Sequence, residues 1–324
     1  MSSSESADFF NMSLYLTKAK KPLCMLLLLL SCLLTTPIGE VQAETPRSYS
    51  KLVYYPIGDQ SEKSLHLVFP TEFRNTANGL RSKIQDDYQA LSNTFGSERS
   101  FSAQVQLMEA ERFYQKMNVP RWTNAIYIRS KIFVPIKHER ENRSGELQRA
   151  LRHELVHAII DHQSKGRCPG WLDEGLAQLL EGPEHPILRS ALQKWVSRNG
   201  VIPLSTLKNG FTKLPREMVP AAYAQSLYAT KLLLQDKERS TLKVLMHNLR
   251  KESYFPRAFQ RSFNMTIEEF QAELEEKLEV LAQSKDYGQS NPVWNVAYEK
   301  FQLETAAGTG DSVQAGKASI DLTK

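Results

Sequence analysis

Disulfide bonding is the first thing this sequence excludes. Its cysteines are Cys24, Cys32 and Cys168, and the first two lie in a leader-like N-terminus. One remaining thiol cannot close an intrachain bridge. A fold outside the cytoplasm would then rest on its core, which 324 residues with 41% hydrophobic and 24% charged content can supply. Basic stripes are missing too. Lysine and arginine interleave with aspartate and glutamate, and the formal charge is only +5. No basic-aromatic pattern runs along any segment, which argues against nucleic acid as a partner. No internal repeat is visible. Finally, no apolar run reaches the roughly 20 residues that a membrane-spanning helix requires.

What the N-terminus does hold reads as an export signal. Lys18, Lys20 and Lys21 form a basic region, and Pro22 to Thr35 form an apolar stretch of 14 residues. Val41-Gln42-Ala43 then places small residues where a signal peptidase reads them, so cleavage is expected after Ala43. The expected location is periplasmic or secreted. Two lesser readings keep the chain at a membrane: an uncleaved signal serving as anchor, or a lipid on Cys32. The apolar run continues past Cys32, which weakens the second.

The remainder divides by periodicity. Residues 44–150 are expected to form an α+β half. Its strands are Leu52 to Tyr55, Leu65 to Phe69, Ala103 to Leu107, Ala125 to Ile128 and Ile132 to Ile136, and its helices run from Leu80 to Phe95 and from Ala110 to Met117. Polar turns are expected at Gly58 to Ser61 and His138 to Gly145. Residues 151–285 are expected to be helical. A helix from Glu146 to His162 leads into this half, followed by Leu172 to Leu180, Ala221 to Gln235, Leu242 to Lys251, Phe255 to Phe263 and Ile267 to Gln283. Thr266 and Glu269 predict a capping box on the last of these. Residues 286–324 read as an extension, small and polar enough from about Glu304 to be disordered.

The chemistry concentrates at Leu151-Arg152-His153-Glu154-Leu155-Val156-His157. Residues four apart share a helix face, so His153 and His157 can aim ring nitrogens at one ion. Glu154, one step round, can reach a water on that ion without filling its coordination. Leu151, Leu155, Val156, Ile159 and Ile160 give the pair a rigid apolar backing. Chance alone would place HExxH in about one chain in a hundred of this length, so the motif needs support. Catalytic zinc takes three protein ligands plus water. A turn built on Gly166, Pro169 and Gly170 leads into Trp171-Leu172-Asp173-Glu174-Gly175-Leu176-Ala177. A hairpin to an antiparallel helix would return Glu174 over the histidines, with Gly175 permitting close approach of the two helices.

HExxH followed by WLxEGLA resembles the gluzincin metallopeptidases, most closely their peptidase MA-like branch. The resemblance spans roughly residues 65–280 and includes the run Tyr223 to Tyr228. It implies a zincin-like α+β fold: a small mixed β-sheet with helices, an active-site helix bearing HExxH, and an all-helical C-terminal half. It also implies one Zn2+ per chain on His153, His157 and Glu174. Glu154 would be the general base, and a tyrosine from a later helix, Tyr223 or Tyr228, would donate to the oxyanion; His138 is a weaker candidate. The strand Ile132 to Ile136 reads equally as an edge against which an extended substrate pairs, as in related enzymes, or as a plain interior strand. Two departures stand out. The linker from His157 to Glu174 is shorter than in thermolysin-like enzymes. Gln178 also stands where those enzymes carry an aspartate that orients a zinc histidine, which leaves Glu181 and Asp173 as the other candidates for that role.

The reading is therefore a metallopeptidase acting on peptide or protein substrates. Endopeptidase is favoured, because no GxMEN-like motif between Ile128 and Glu154 supplies an amino-terminus site. The alternatives are a non-catalytic zinc-fold binding or scaffold protein of the cell envelope, and a membrane-anchored assembly factor. Nothing in the sequence sets the oligomeric state. His66, His162, His185 and His247 have no ligand pattern, Cys168 reads as an ordinary thiol, and Trp171 reads as a core anchor.

Overall fold

Apolar residues at alternate strand positions give the sheet two faces with different partners. The computed structural model describes residues 51–57, 65–96, 103–121, 123–137, 144–183, 187–284 and 291–294. The expected signal segment, the turn at Gly58 to Ser61, His138, His185 and the C-terminal tail lie outside them. Five strands, β1 (Leu52–Ile57), β2 (Leu65–Pro70), β3 (Gln104–Glu109), β4 (Ile126–Ile128) and β5 (Lys131–Ile136), form one sheet in the order β1-β2-β3-β5-β4. Its centre is parallel and both its outer pairs are antiparallel, so the sheet is mixed, as expected.

On one face, Leu67, Val105, Leu107, Ile132 and Val134 join the main core with α1 (Arg74–Phe95) through Leu80, Ile84, Leu91 and Phe95. On the other face, Met108, Ile126 and Phe133 meet α2 (Ala110–Met117) through Phe113 and Met117. α1 stops at Gly96, which adopts φ 67°, a left-handed conformation open to glycine at no steric cost. The β4–β5 turn places Arg129 and Ser130 at φ 48° and 64°, the mirror-image turn whose twist suits a two-residue hairpin.

That hairpin decides between the two readings of the Ile132 to Ile136 strand. β5 pairs with β3 along its whole length and with β4 from Lys131 to Phe133, so it is an interior strand. The sheet edge beside it is β4.

The helical half follows from α3 (Ser144–Ser164), which starts two residues before Glu146. Then come α4 (Gly170–Glu181), α5 (Ile187–Asn199), α6 (Val219–Leu234), α7 (Ser240–Lys251), α8 (Phe255–Phe263) and α9 (Ile267–Gln283). The Thr266–Glu269 capping box is present in full. α5 was not anticipated. Flanking Gly182, Pro183 and Pro186 suggest a loop, although Leu188, Leu192 and Val196 recur at the four-residue spacing of a buried helix face. One hydrophobic core runs from the sheet through α3, α4 and α6 to α9, with Trp171 buried in it and stacked on Phe270 at 5.8 Å. Among the described residues no helix is long and apolar enough to cross a membrane.

Gly175 permits a close approach, but to a different helix from the one expected. A Cβ there would lie 2.0 Å from Thr230 Oγ1 and 2.3 Å from the Ser226 carbonyl oxygen, both on α6 rather than α3. α4 is thus wedged between α3 and α6, and residues 171–181 are all buried. Gly175→Ala is expected to destabilise the protein by about 2 kcal/mol or more through this overlap. Gly79→Ala, in α1 with open space around its Cβ, is expected to stabilise it by up to about 1 kcal/mol. Thermal unfolding of the two variants checks the contrast.

Candidate metal centre

α3 is buried almost all round between Ala150 and Ile160, which fixes the rotation of the two histidines on it. His153 and His157, one turn apart, have their Nε2 atoms 3.0 Å from each other. The α3–α4 turn then reverses the chain. Lys165 and Gly166 take positive φ, Ser164 Oγ accepts from the Arg167 and Cys168 amides, and the Gly170 amide donates to the Lys208 carbonyl at 2.8 Å. α4 therefore returns along α3 and brings Glu174 to the histidines. Glu174 Oε2 lies 3.6 Å from His153 Nε2 and 3.8 Å from His157 Nε2. Among the described residues these three form the group that can converge on a metal ion, and all three are buried.

Whether zinc suits them is testable on three observations. Tetrahedral ligands at the usual zinc distances lie about 3.3–3.4 Å from one another, and separations of 3.0, 3.6 and 3.8 Å bracket that value. Glu174 Oε2 is buried with no hydrogen-bond partner, an expensive state for a carboxylate oxygen with nothing to bind. Each imidazole is also pinned from behind. His153 Nδ1 meets Glu181 Oε2 at 2.6 Å, and His157 Nδ1 meets Asp173 Oδ1 at 3.0 Å. A carboxylate there holds the ring proton on Nδ1 and leaves the Nε2 lone pair for a metal. The donor set fits zinc.

The same contacts answer the question that Gln178 raised. Both remaining candidates act, one on each histidine. Gln178 touches neither imidazole and donates instead to the Glu174 and Tyr223 carbonyls. Glu181 is shared with Arg149, whose Nε lies 2.9 Å from Oε1. Burial alone would lift the Glu181 pKa, but His153 and then Arg149 hold it below the usual carboxylate range. The sequence reading missed Arg149, although it stands four residues before His153. It also missed Arg152, which faces away to the buried Asp87 of α1.

Glu154 is buried beside the ligands at 2% exposure. The two tyrosines separate. Tyr223 is buried, and its pKa is pushed well up, first by burial and then by the charges of the Glu174 and Glu154 carboxylates. Phe211 packs edge-on against its ring at 4.8 Å. Tyr228 lies on the far part of α6, against Trp294 at 5.2 Å, and accepts a hydrogen bond from Asn291 at 3.3 Å. Burial pushes it up to about 12, with no zinc-site carboxylate contributing. The structure thus brings Tyr223 to the ligands and turns Tyr228 to the C-terminal segment. Cys168 and the exposed His162 and His247 stand outside the ligand group.

The family model of the peptidase MA superfamily matches residues 110–279, more than half of the chain. The chain belongs to the peptidase MA superfamily. No curated protein matches it. Among solved structures it is similar to an M1 zinc metallopeptidase from Deinococcus radiodurans, at 17% identity and TM-score 0.44, over 72% of this chain and 51% of that one. A mutant M1 zinc metallopeptidase from Deinococcus radiodurans gives 17% identity and TM-score 0.43, over 72% and 52%. A two-domain M1 zinc metallopeptidase mutant bound to L-arginine gives 15% identity and TM-score 0.40, over 72% and 52%. This peptidase MA chain therefore spans about half the length of those structures.

Burial lowers the pKa of both histidines, but the carboxylates outweigh it. His153 is raised well above 6.5, chiefly by Glu181, and His157 is raised, chiefly by Asp173. In the metal-free protein the charged imidazoles therefore add stability that is fully present below about pH 6.5 and lost as pH rises through the raised values. Zinc requires them neutral, so its affinity is expected to fall as pH falls through the same window, with protons released on binding at pH 7. Calorimetry in buffers of different ionisation enthalpy measures that release. Asp173→Ala and Glu181→Ala are each expected to weaken zinc by about 10–100-fold while leaving the three ligands in place, as read by competition with a chelator.

Proposed function

We propose that the chain is an exported, zinc-dependent metallopeptidase that hydrolyses internal bonds of peptide or protein substrates. One observation carries the reading: three buried donor atoms converge from two helices, each imidazole is backed by its own carboxylate, and Glu154 lies beside them. Membership of the peptidase MA superfamily supports the same chemistry. His153, His157 and Glu174 would hold one zinc per chain. When bound, zinc supplies a Lewis acid that lowers the pKa of water to about 7 and polarises a carbonyl.

The chain's own residues do the rest. The Glu154 carboxylate takes a proton from the attacking water and hands it to the leaving amine nitrogen. Tyr223, held protonated by burial and the neighbouring carboxylates, donates to the oxygen on which charge develops. Asp173 and Glu181 keep the two imidazoles in the ligand tautomer. An extended substrate would lie along β4, the sheet edge that Tyr127 ties to α3 through its 2.8 Å hydrogen bond to Asp161. Endopeptidase action follows from the absence of an amino-terminus motif in the sequence between β4 and the HExxH helix. Export rests on the leader at Lys18 to Ala43, which gives a periplasmic or secreted protein, or a membrane-tethered one if the leader is retained.

Glu154→Gln is expected to keep about one zinc per chain and lose about 10²–10⁴-fold in hydrolysis of a quenched-fluorescent peptide library. Wild-type activity in that variant, or a zinc-loaded wild type that cleaves nothing, would contradict the reading. N-acetylated peptides are expected to be cut internally. Mass spectra showing only the release of single residues from free amino termini would reverse the endopeptidase assignment.

A further inference from the structure

Gln178 sits on α4 one turn beyond Glu174 and is buried. Its Nε2 donates to two backbone carbonyls at once, that of Glu174 at 3.2 Å and that of Tyr223 at 3.0 Å. The first contact stays within α4. The second crosses to α6 and lands on Tyr223, whose phenol feels the Glu174 and Glu154 carboxylates. One amide group therefore joins the backbone of the third ligand to the backbone of the tyrosine.

This tie is a directional polar link across the α4–α6 seam. Gly175 brings α4 so close to α6 that a Cβ would overlap Ser226 and Thr230. The Ser226 and Thr230 hydroxyls are nevertheless buried with no hydrogen-bond partner, so neither fastens the helices together. A carbonyl has a second lone pair beyond the one its helix uses, and Gln178 fills it at Tyr223. Phe211 packs edge-on against the Tyr223 ring at 4.8 Å, a contact with no directional hydrogen bond.

We propose that Gln178 is a positioning residue for Tyr223: it fixes the rotation and register of α6 on α4, and so sets where the Tyr223 hydroxyl stands relative to Glu174 and Glu154. The inference rests on the reading of Tyr223 as the donor to the developing oxyanion. A misplacement of about 1 Å in such a group can cost about 100-fold in rate, so a tie between backbones carries catalytic weight without touching the substrate.

The experiment is a double-mutant cycle on the zinc-loaded enzyme, using Gln178→Met, which keeps the length and volume of the side chain but removes the donor, and Tyr223→Phe. Kinetics on one peptide cleaved by the wild type are read beside zinc content and the affinity of a phosphinic peptide that mimics the charged intermediate. Gln178→Met is expected to keep one zinc and KM within about twofold, to lower kcat about tenfold, and to weaken the phosphinic peptide in proportion. In the Tyr223→Phe background the same substitution is expected to change kcat less than about twofold. Losses that multiply in full, an unchanged kcat in Gln178→Met, or a fall in zinc content that accounts for the loss would overturn the proposal. Wild-type kcat in Tyr223→Phe would instead remove the tyrosine assignment on which it stands. Gln178→Leu runs the same cycle should the methionine variant not fold.

Discussion

Each imidazole of the candidate metal centre has a carboxylate behind it, and the rest of the site depends on that pairing. Without Glu181 and Asp173, two histidines buried side by side could adopt either tautomer and several ring orientations. With them, both Nδ1 positions are committed and both Nε2 atoms face inward, towards Glu174. The pairing is costly in a dry core unless a positive charge sits among the carboxylates. Arg149 supplies one at Glu181, and a divalent cation would supply the rest.

The fold exists around that requirement. α3 gives the histidines a buried and rotation-fixed platform against the sheet. The tight turn after Ser164 sends α4 back along it, so that one short segment delivers Asp173, Glu174 and Glu181 to the same place. α4 is in turn clamped from its other side by α6, at a distance only glycine at position 175 permits. The helices that bring His153, His157 and Glu174 together and the helix that carries Tyr223 are therefore one packed unit. A change at the α4–α6 seam reaches the chemistry without passing through a ligand.

Much of this could be read from the chain alone, and the reason is locality. HExxH is a spacing on one helix, and WLxEGLA completes it across a short turn, so the three converging residues needed no long-range information. The helices Ala110–Met117, Phe255–Phe263 and Ile267–Gln283 ended where their periodicity and caps ended. Long-range facts were less legible. Strand order is set by pairing between distant segments, so the sequence left β5 open between edge and interior, and the contact of Gly175 with α6 rather than α3 was invisible. Asp87 and Arg152 lie 65 residues apart. Tyr223 and Tyr228 share one helix and one composition, and only three-dimensional packing sends the second to Asn291 and Trp294. α5 was missed although Leu188, Leu192 and Val196 stand at a four-residue apolar spacing.

The central claim is that His153, His157 and Glu174 close on a single zinc ion, and diffraction data collected on either side of the zinc absorption edge from zinc-equilibrated crystals test it most directly. The account predicts one anomalous peak within bonding distance of His153 Nε2, His157 Nε2 and a Glu174 carboxylate oxygen, with Glu181 and Asp173 still on the Nδ1 atoms. No anomalous peak at these residues, with the two imidazoles still in contact through Nε2, would contradict it.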